Sequence, residues 1–445
     1  MLPPGPKAPL AVQTYEWVAR PTALLRRCQA RYGEPFTLRM AWADAPMVLI
    51  SDPEEVKRVF SADPEVVRAG ASSAFLEPFA GAHSILVLDG AEHLRQRRLM
   101  LPPFHGDRLQ GHRELIGEIA AAEVATWAPG QALRSHPRMQ AVTLEVMMRV
   151  VFGLRAGAEL EHVRAAIRRA LDMTTSLPRL VAMALLQRDL GRHSPWGAFR
   201  RAVADADALL LDVIRRARSR PGDGSILSLL LAARHEDGSP PGDDELRDQL
   251  VTLLAAGHET TAGSLAWALE RLARHPAVLA RLRDELAAGD DAYLDAVVKE
   301  VLRTRPVLSV AARKLAAPFT VAGWELPAGV HVAPCIYLTH RRSDLYPEPA
   351  AFRPERFLGG APPPYTWIPF GGGVRRCLGA AFATMEMKEV LRAVLARVDL
   401  SAPREAGERV RRRTITLVPA NGGNVIPQPL RSSGPRCRSS AATIA

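Results

Sequence analysis

A ten-residue segment at positions 370–379, FGGGVRRCLG, combines one cysteine with four glycines and two arginines. A buried structural thiol needs only apolar neighbours, so this composition calls for another explanation. A thiolate that ligates a metal needs a chain folded closely around it and positive charge that disfavours its protonation. A helical pattern begins just after Cys377, so the helix dipole and the nearby Arg375 are both expected to favour the thiolate.

The surroundings of this cysteine also indicate which metal group it would hold. Glycines 371–373 and Gly379 are expected to let the backbone approach a flat ligand closely. No second cysteine or histidine lies near Cys377 in the sequence. A lone thiolate suits haem iron far better than zinc, which takes several protein ligands.

A second unusual segment is AAGHETTAG, at residues 255–263. It lies inside an apolar helix predicted to run from about Asp243 to Arg274, with Asp243 or Asp244 as its cap and Pro276 as its stop signal. The polar run Glu259-Thr260-Thr261 is costly in a helix buried that deeply. A threonine at this position can bond a preceding carbonyl or a water and open the helix locally. By itself the run could therefore mark a kink or a polar reactive site.

Two further pairs of residues that can carry charge share a helical spacing. Glu300 and Arg303 lie on one helical face, as do His93 and Arg97. The Glu–Arg spacing alone is weak, because it recurs in pairs that are expected to be solvated: Glu55/Arg58, Glu92/Arg95 and Glu161/Arg164. Only Glu300 and Arg303 are followed by a proline segment and then by PERF at 354–357.

Taken together and in this order, these motifs resemble the cytochrome P450 haem-thiolate enzymes over roughly residues 3–427. The resemblance implies haem b, with Cys377 as the proximal iron ligand and Phe370 packed near the sulfur. It implies that Glu259 and Thr260 form an acid–alcohol pair that delivers protons during dioxygen activation. It further implies that Ala256 and Gly257 make room over the iron.

The resemblance also implies roles for other positions. The haem propionates would be held by His93, Arg97, Arg313 and Arg375, and Gly379 and Ala256 would also contact the haem. A structural triad behind the haem would consist of Glu300, Arg303 and Arg356. The substrate pocket would be lined by the 66–90 loop, the helices between about 165 and 205, and Ile85, Ala256, Leu308, Ser309, Ala311, Ile415 and Thr416.

The whole chain is consistent with a soluble enzyme. Its 445 residues are 47% apolar and 24% charged, as in an ordinary globular protein. Four cysteines are too few and too scattered for a disulfide framework, and no apolar run or leader pattern indicates a membrane span or secretion. The patterns predict a mainly α fold with a small β portion, a single domain over 1–427 and a disordered tail over 428–445 that contains an incidental Cys437. We expect a cytoplasmic monomer.

The net charge of +11 has two interpretations. Only five of the 58 basic residues are lysines, so the excess of arginine could reflect coding bias or a binding surface. No basic run is interleaved with aromatic residues, which argues against nucleic acid. The resemblance implies electrons from NAD(P)H through a ferredoxin or flavodoxin and its reductase, since no flavin or iron–sulfur segment is visible in the chain.

The predicted reaction is the insertion of one atom of O2 into an apolar organic substrate. Two alternatives remain: a haem-thiolate enzyme that uses peroxide or rearranges its substrate, and a non-enzymatic haem sensor. The acid–alcohol pair argues against the first, and the lack of a visible output domain against the second. Segments 101–106 and 186–197 weakly resemble a bacterial branch that acts on fatty acids, alkanes or terpenes.

Overall fold

The computed structural model describes residues 1–41, 43–104, 106–154, 157–174, 194–219, 222–404 and 406–430. Within these ranges the chain is mainly helical with small sheets, which confirms the predicted fold class. The helices are α1 Leu10–Ala19, α2 Pro21–Tyr32, α3 Pro53–Phe60, α4 Gly70–Ser73, α5 Glu77–Ala80, α6 Gly90–Met100, α7 Asp107–Gln110, α8 Arg113–Val124, α9 Ser135–Val146, α10 Ala158–Thr174, α11 Pro195–Arg218, α12 Ile226–Ala232, α13 Asp243–Arg274, α14 Pro276–Ala287, α15 Ala292–Thr304, α16 Ile336–Thr339 and α17 Ala380–Leu395.

The strands are short: three lie between residues 36 and 68, one at 133–134, and the other eight between residues 313 and 429. They are β1 Phe36–Leu38, β2 Met47–Ile50, β3 Val67–Arg68, β4 Leu133–Arg134, β5 Arg313–Leu315, β6 Phe319–Val321, β7 Trp324–Leu326, β8 His331–Pro334, β9 Val398–Ser401, β10 Val410–Arg413, β11 Thr416–Pro419 and β12 Asn424–Pro429. The predicted tail begins two residues too early, because Gln428 and Pro429 pair with β9 in strand β12. The rest of that tail from residue 431 on, with Cys437, lies outside the described residues, as do residues 186–193 of the segment compared with lipid-oxidising enzymes.

The largest sheet has the order β1-β2-β8-β5-β3. Strands β1 and β2 form an antiparallel hairpin, and β2 also pairs in parallel with β8. Strand β4 joins β12 and β9 in a second sheet, while β6–β7 and β10–β11 are separate hairpins. The small sheets thus accompany a mainly helical body, as the sequence patterns predict.

Two helix starts show how local chemistry sets the boundaries. Asp52 caps α3, because its carboxylate accepts hydrogen bonds from the backbone N–H groups of Glu54 and Glu55 at 2.9 and 3.3 Å. The predicted cap of α13 is wrong, since its N-cap is Gly242. There the Glu245 carboxylate reaches back to the Gly242 N–H at 3.2 Å, as an acidic side chain at the third helical position can do. Asp243 instead accepts a hydrogen bond from Arg218.

Helix α13 is the centre of the main hydrophobic core. It packs against α9, α17 and strand β11, and Trp267 on this helix is fully buried. The Trp267 indole N–H donates to the Leu417 carbonyl at 3.1 Å, so the helix is tied to the β10–β11 hairpin. This core fixes the position of the polar run in α13 relative to α9 and the hairpin.

No helix in the described part of the chain is both long enough and apolar enough to span a bilayer.

Candidate haem-thiolate site

The cysteine loop closes on itself just before α17. The Cys377 N–H donates to the Phe370 carbonyl at 2.9 Å, and Gly379 is the N-cap of the helix. Gly373 has φ +63°, and a Cβ there would lie 1.9 Å from the Phe60 carbonyl oxygen. A Cβ on Gly372 would also meet the Phe60 ring. These two glycines are therefore required by close packing against α3, which differs from the expectation that they let the backbone approach a ligand.

The Cys377 sulfur is enclosed and accessible at the same time. The residue is exposed, yet burial raises the pKa of its thiol. The Gly379 backbone N–H and the charges of Arg97 and Arg376 act in the opposite direction and stabilise the thiolate. A side chain that is accessible but surrounded by protein lines an internal space, which is the setting a metal ligand requires.

Arg375 is not among the charges that favour the Cys377 thiolate, contrary to the expectation from its position in the loop. Its guanidinium turns away and donates to the Ile85 carbonyl at 2.9 Å, to the Leu88 carbonyl, and to the Asp89 carboxylate at 2.6 Å. The sequence could not reveal this, because Asp89 is 286 residues away along the chain. The cations that favour the thiolate are therefore Arg97 and Arg376.

The four residues expected at the propionates converge in the structure. His93 and Arg97 come from one face of α6, Arg313 begins β5, and Arg375 comes from the cysteine loop. Burial, together with the charges of Arg375, Arg97 and Arg313, lowers the pKa of His93 to about 3. Burial also lowers the pKa of Arg313 and of Arg375 to about 10 in each case, and the Arg375 charge adds to the effect on Arg313.

Haem fits this arrangement of residues. Buried charges are normally paired, because an unpaired charge in a protein interior is costly. Asp89 pairs with Arg375, but neither Arg97 nor Arg313 has a carboxylate partner among the described residues. Two propionates would neutralise this excess of positive charge, with His93 acting as an uncharged hydrogen-bond donor. The accessible thiolate would then provide the iron ligand.

The hydroxyls in and after the polar run of α13 bond carbonyls one turn back, while the helix itself continues without a break from Asp243 to Arg274. The Thr260 hydroxyl donates to the Ala256 carbonyl at 2.5 Å, and the Ser264 hydroxyl donates to the Thr260 carbonyl at 2.9 Å. Ala256 is exposed although α13 is largely buried before and after it. Gly257 has another neighbour, since a Cβ on it would lie 3.0 Å from the Met147 sulfur. Its small size therefore serves packing against the segment after α9.

Glu259 points toward α9 and the β10–β11 hairpin. Its Oε2 accepts a hydrogen bond from Gln140 Nε2 at 2.6 Å, while its Oε1 lies 3.4 Å from His136 Nε2 and 3.4 Å from Arg413 Nε. Burial would raise the pKa of this carboxyl, but the close contact with His136, the charge of Arg413 and the hydrogen bond from Gln140 outweigh burial and lower it. No hydrogen bond joins Glu259 to Thr260 within the described part of the chain.

Sequence reasoning missed these three partners of Glu259. His136 and Gln140 are spaced i, i+4, which places both on one helical face and could have indicated a shared partner. Arg413 gives no such signal, because its proximity depends on how the hairpin packs against α13.

The expected structural triad is brought together, with Glu300 and Arg303 fully buried and Arg356 partly exposed. Arg303 donates to both oxygens of Glu300 at 2.6 and 2.7 Å, and neither side chain is exposed. Arg356 Nε lies 3.6 Å from Glu300 Oε1, and the Arg353 N–H donates to the same oxygen at 2.8 Å. The cluster ties α15 to the PERF turn at Pro354–Phe357.

The expected pocket residues fall into two groups. Ser309 and Thr416 are buried with protein partners: Ser309 Oγ accepts from Arg412 at 2.9 Å, and the Thr416 hydroxyl donates to the Arg413 carbonyl. Ile85 is also buried, and its N–H donates to Gln249. The others remain more accessible, with Leu308 and Ala311 partly buried and Ala256 and Ile415 exposed. Part of the expected 165–205 region, residues 175–193, lies outside the described residues.

Comparison with known proteins agrees with this geometry. The family model described as Cytochrome P450 matches residues 3–426. Cytochrome P450 135B1 of Mycobacterium tuberculosis is 43% identical over 433 residues, covering 95% of this chain and 91% of the relative. Cytochrome P450 138 of the same species is 38% identical, covering 96% of each chain.

Solved structures give the same result. Retinoic acid-bound cyanobacterial CYP120A1 superposes with a TM-score of 0.82 at 26% identity, covering 97% of this chain and 100% of its own. The haem domain of cytochrome P450DA superposes with a TM-score of 0.81 at 25% identity, with 97% of each chain covered. With the family's cysteine loop, partly buried cations and relatives along nearly its whole length, the chain belongs to the cytochrome P450 family and is a haem-dependent monooxygenase.

Proposed function

We propose that this enzyme inserts one oxygen atom from O2 into an apolar substrate of the fatty acid, alkane or terpenoid type, using electrons from NAD(P)H that arrive through separate redox proteins. The observation that carries the proposal is the acid–alcohol pair in α13. Thr260 bonds the Ala256 carbonyl at the point where the helix becomes accessible, and Glu259 is kept ionised beside it. The accessible residues expected at the pocket, Leu308, Ala311, Ile415 and Ala256, are apolar.

Haem, when bound, supplies the oxygen activation and the oxidising chemistry. The protein's contribution is to hold the haem and to supply protons for the reaction. Cys377 provides a thiolate that the Gly379 N–H, Arg97 and Arg376 stabilise. The Thr260 hydroxyl holds a proton close to the accessible side of α13, and Glu259 is the next acidic group along the helix.

The apolar lining determines how substrate is bound. Without a charged anchor among Leu308, Ala311, Ile415 and Ala256, affinity would come from burial of apolar surface, worth about 25 cal/mol per Å². Titration of the haem spectrum with lipids and terpenoids would identify the substrate. We expect shifts with long apolar compounds and none with small charged ones.

Replacement of Thr260 tests the oxygenase mechanism directly. Thr260→Ala should keep substrate binding and still consume NAD(P)H, but release peroxide instead of product, because proton delivery by a positioned group contributes roughly 10²–10⁴-fold. Thr260→Ser is the matched control, since it retains the hydroxyl and should stay coupled. The measurement is product formed per NAD(P)H oxidised, on one substrate. Equal ratios for Thr260→Ala and the parent would instead favour a peroxide-driven or isomerising enzyme.

A further inference from the structure

Three side chains that carry hydrogen-bond donors surround the Glu259 carboxylate, and the reaction as described above uses none of them. Gln140 and His136 come from α9, and Arg413 ends strand β10. We call this group the Glu259 clamp. A backbone contact holds α9 in place. The backbone N–H of His136 donates to the Gly422 carbonyl at 2.9 Å, which anchors the start of α9 to the turn before β12.

The two carboxylate oxygens of Glu259 are held unequally. Oε2 has a short hydrogen bond from Gln140 at 2.6 Å. Oε1, His136 Nε2 and Arg413 Nε are all buried atoms without a hydrogen bond, although each nitrogen lies only 3.4 Å from the oxygen. Buried polar atoms are usually satisfied, so three unsatisfied atoms that face one another indicate an arrangement that closes or opens with a small movement. The contacts at Oε1, to His136 and Arg413, are therefore the ones through which a proton could be transferred to Glu259.

Other charged groups around the cluster do not compete for this role. His258, the residue before Glu259, bonds the Thr143 hydroxyl at 2.9 Å, and burial lowers the pKa of its imidazole to about 4. Arg168 on α10 adds positive charge near His258. Arginine and glutamine keep their protons throughout the physiological range, whereas histidine changes charge between pH 5 and 8. Among the three clamp residues, His136 is thus the one whose side chain can act as an acid toward the Glu259 carboxylate.

We propose that His136 supplies protons to Glu259, while Gln140 and Arg413 hold the carboxylate in position and ionised until it receives one. In this step the Nε2–H bond of the His136 imidazolium breaks and an O–H bond forms on Glu259 Oε1. The imidazole becomes neutral and regains its proton from solvent. The proposal rests on the proposed function, because it assigns the source of the protons that Glu259 and Thr260 deliver.

The experiment compares His136→Gln with the parent holoenzyme and with His235→Gln. His235 is a matched control because its side chain, only 7% exposed, also faces a glutamate: its Nε2 lies 3.2 Å from Glu245, which is in the first turn of α13 and outside the Glu259 clamp. Product per NAD(P)H is measured from pH 6 to 9. We expect the coupling of the parent and of His235→Gln to depend on pH, because an imidazole acts as an acid only in its charged form. His136→Gln should be about a hundredfold less coupled at pH 7, the low end of the effect of a positioned proton donor, and its coupling should not change with pH.

A second readout is independent of turnover. Infrared titration of the carboxyl band that is absent in Glu259→Gln gives the pKa of Glu259. In Arg413→Leu this pKa should rise, since a neighbouring charge that lowers it is gone. Arg413→Lys should restore most of the shift.

The outcomes separate this inference from the proposed function. If Thr260→Ala is uncoupled but His136→Gln keeps the parent's ratio and pH profile, His136 is not the proton source. If neither variant differs from the parent, the oxygenase mechanism itself is wrong. Should His136→Gln fail to fold, His136→Asn replaces it with the same expected profile, and a parent-like profile there would overturn the inference.

Discussion

Replacing Arg303 by methionine should cost most of the stability of the protein. Arg303 makes two hydrogen bonds to Glu300 and donates to the carbonyls of His340, Pro349 and Ala351 at 2.9, 2.9 and 3.0 Å. Methionine keeps much of the volume but none of the donors. Leaving Glu300 charged and buried costs about 3–5 kcal/mol, and each stranded carbonyl adds about 1–3 kcal/mol.

The lower limits of these terms together give about 6 kcal/mol, comparable with the 5–15 kcal/mol that stabilises a typical domain. We therefore expect Arg303→Met to be largely unfolded, as measured by urea denaturation and by the yield of haem-containing protein. The control is Arg27→Met, which removes a surface ion pair with Glu16 and should cost less than about 1 kcal/mol. A double variant, Glu300→Leu with Arg303→Met, should recover part of the loss, since it removes the fully buried Glu300 charge and leaves only Arg356, which is 12% exposed, without its carboxylate neighbour. The reasoning is refuted if Arg303→Met unfolds at the same urea concentration as Arg27→Met.

Two further predictions concern charge. Burial raises the pKa of Glu386 to about 8, so its protonated form stabilises the fold below pH 4.5 and this stabilisation is lost as pH rises to 8. Glu386→Gln should remove that pH dependence, which is worth up to about 5 kcal/mol. The thermal midpoint of Glu386→Gln should therefore change less than the parent's between pH 5 and pH 8. An equal change of midpoint in both proteins would contradict the raised pKa of Glu386. The net charge of +11 and the exposed Arg376 beside Cys377 predict an acidic redox partner, whose rate of reducing the enzyme should fall as salt is added. A rate independent of ionic strength would leave the arginine excess as coding bias.

The parts of the site that the sequence predicted are those encoded by local pattern. The start of α17 after Cys377, the long helix α13 with its Thr260 bond, and the Glu300–Arg303 pair all depend on residues within four positions of one another. A side chain at such a distance has few alternatives once the helix forms, so spacing is informative.

The parts that were missed depend on packing between distant segments. Arg375 was expected beside the sulfur but binds Asp89, and Gly373 was expected at a ligand but packs against Phe60. The partners of Glu259 come from α9 and from a hairpin near the end of the chain. The local sequence does not predict such contacts, because they depend on how distant helices and strands pack together in the folded core.

The central claim is that Cys377 ligates the haem iron as a thiolate, and the spectrum of the reduced, CO-treated protein tests it most directly. The parent should show the red-shifted Soret band that is characteristic of thiolate ligation. Cys377→His should show the band at the position of an ordinary histidine-ligated haem, while Cys28→Ser, which changes a buried thiol on α2, should match the parent. A Cys377→His protein with the red-shifted band unchanged would contradict the account.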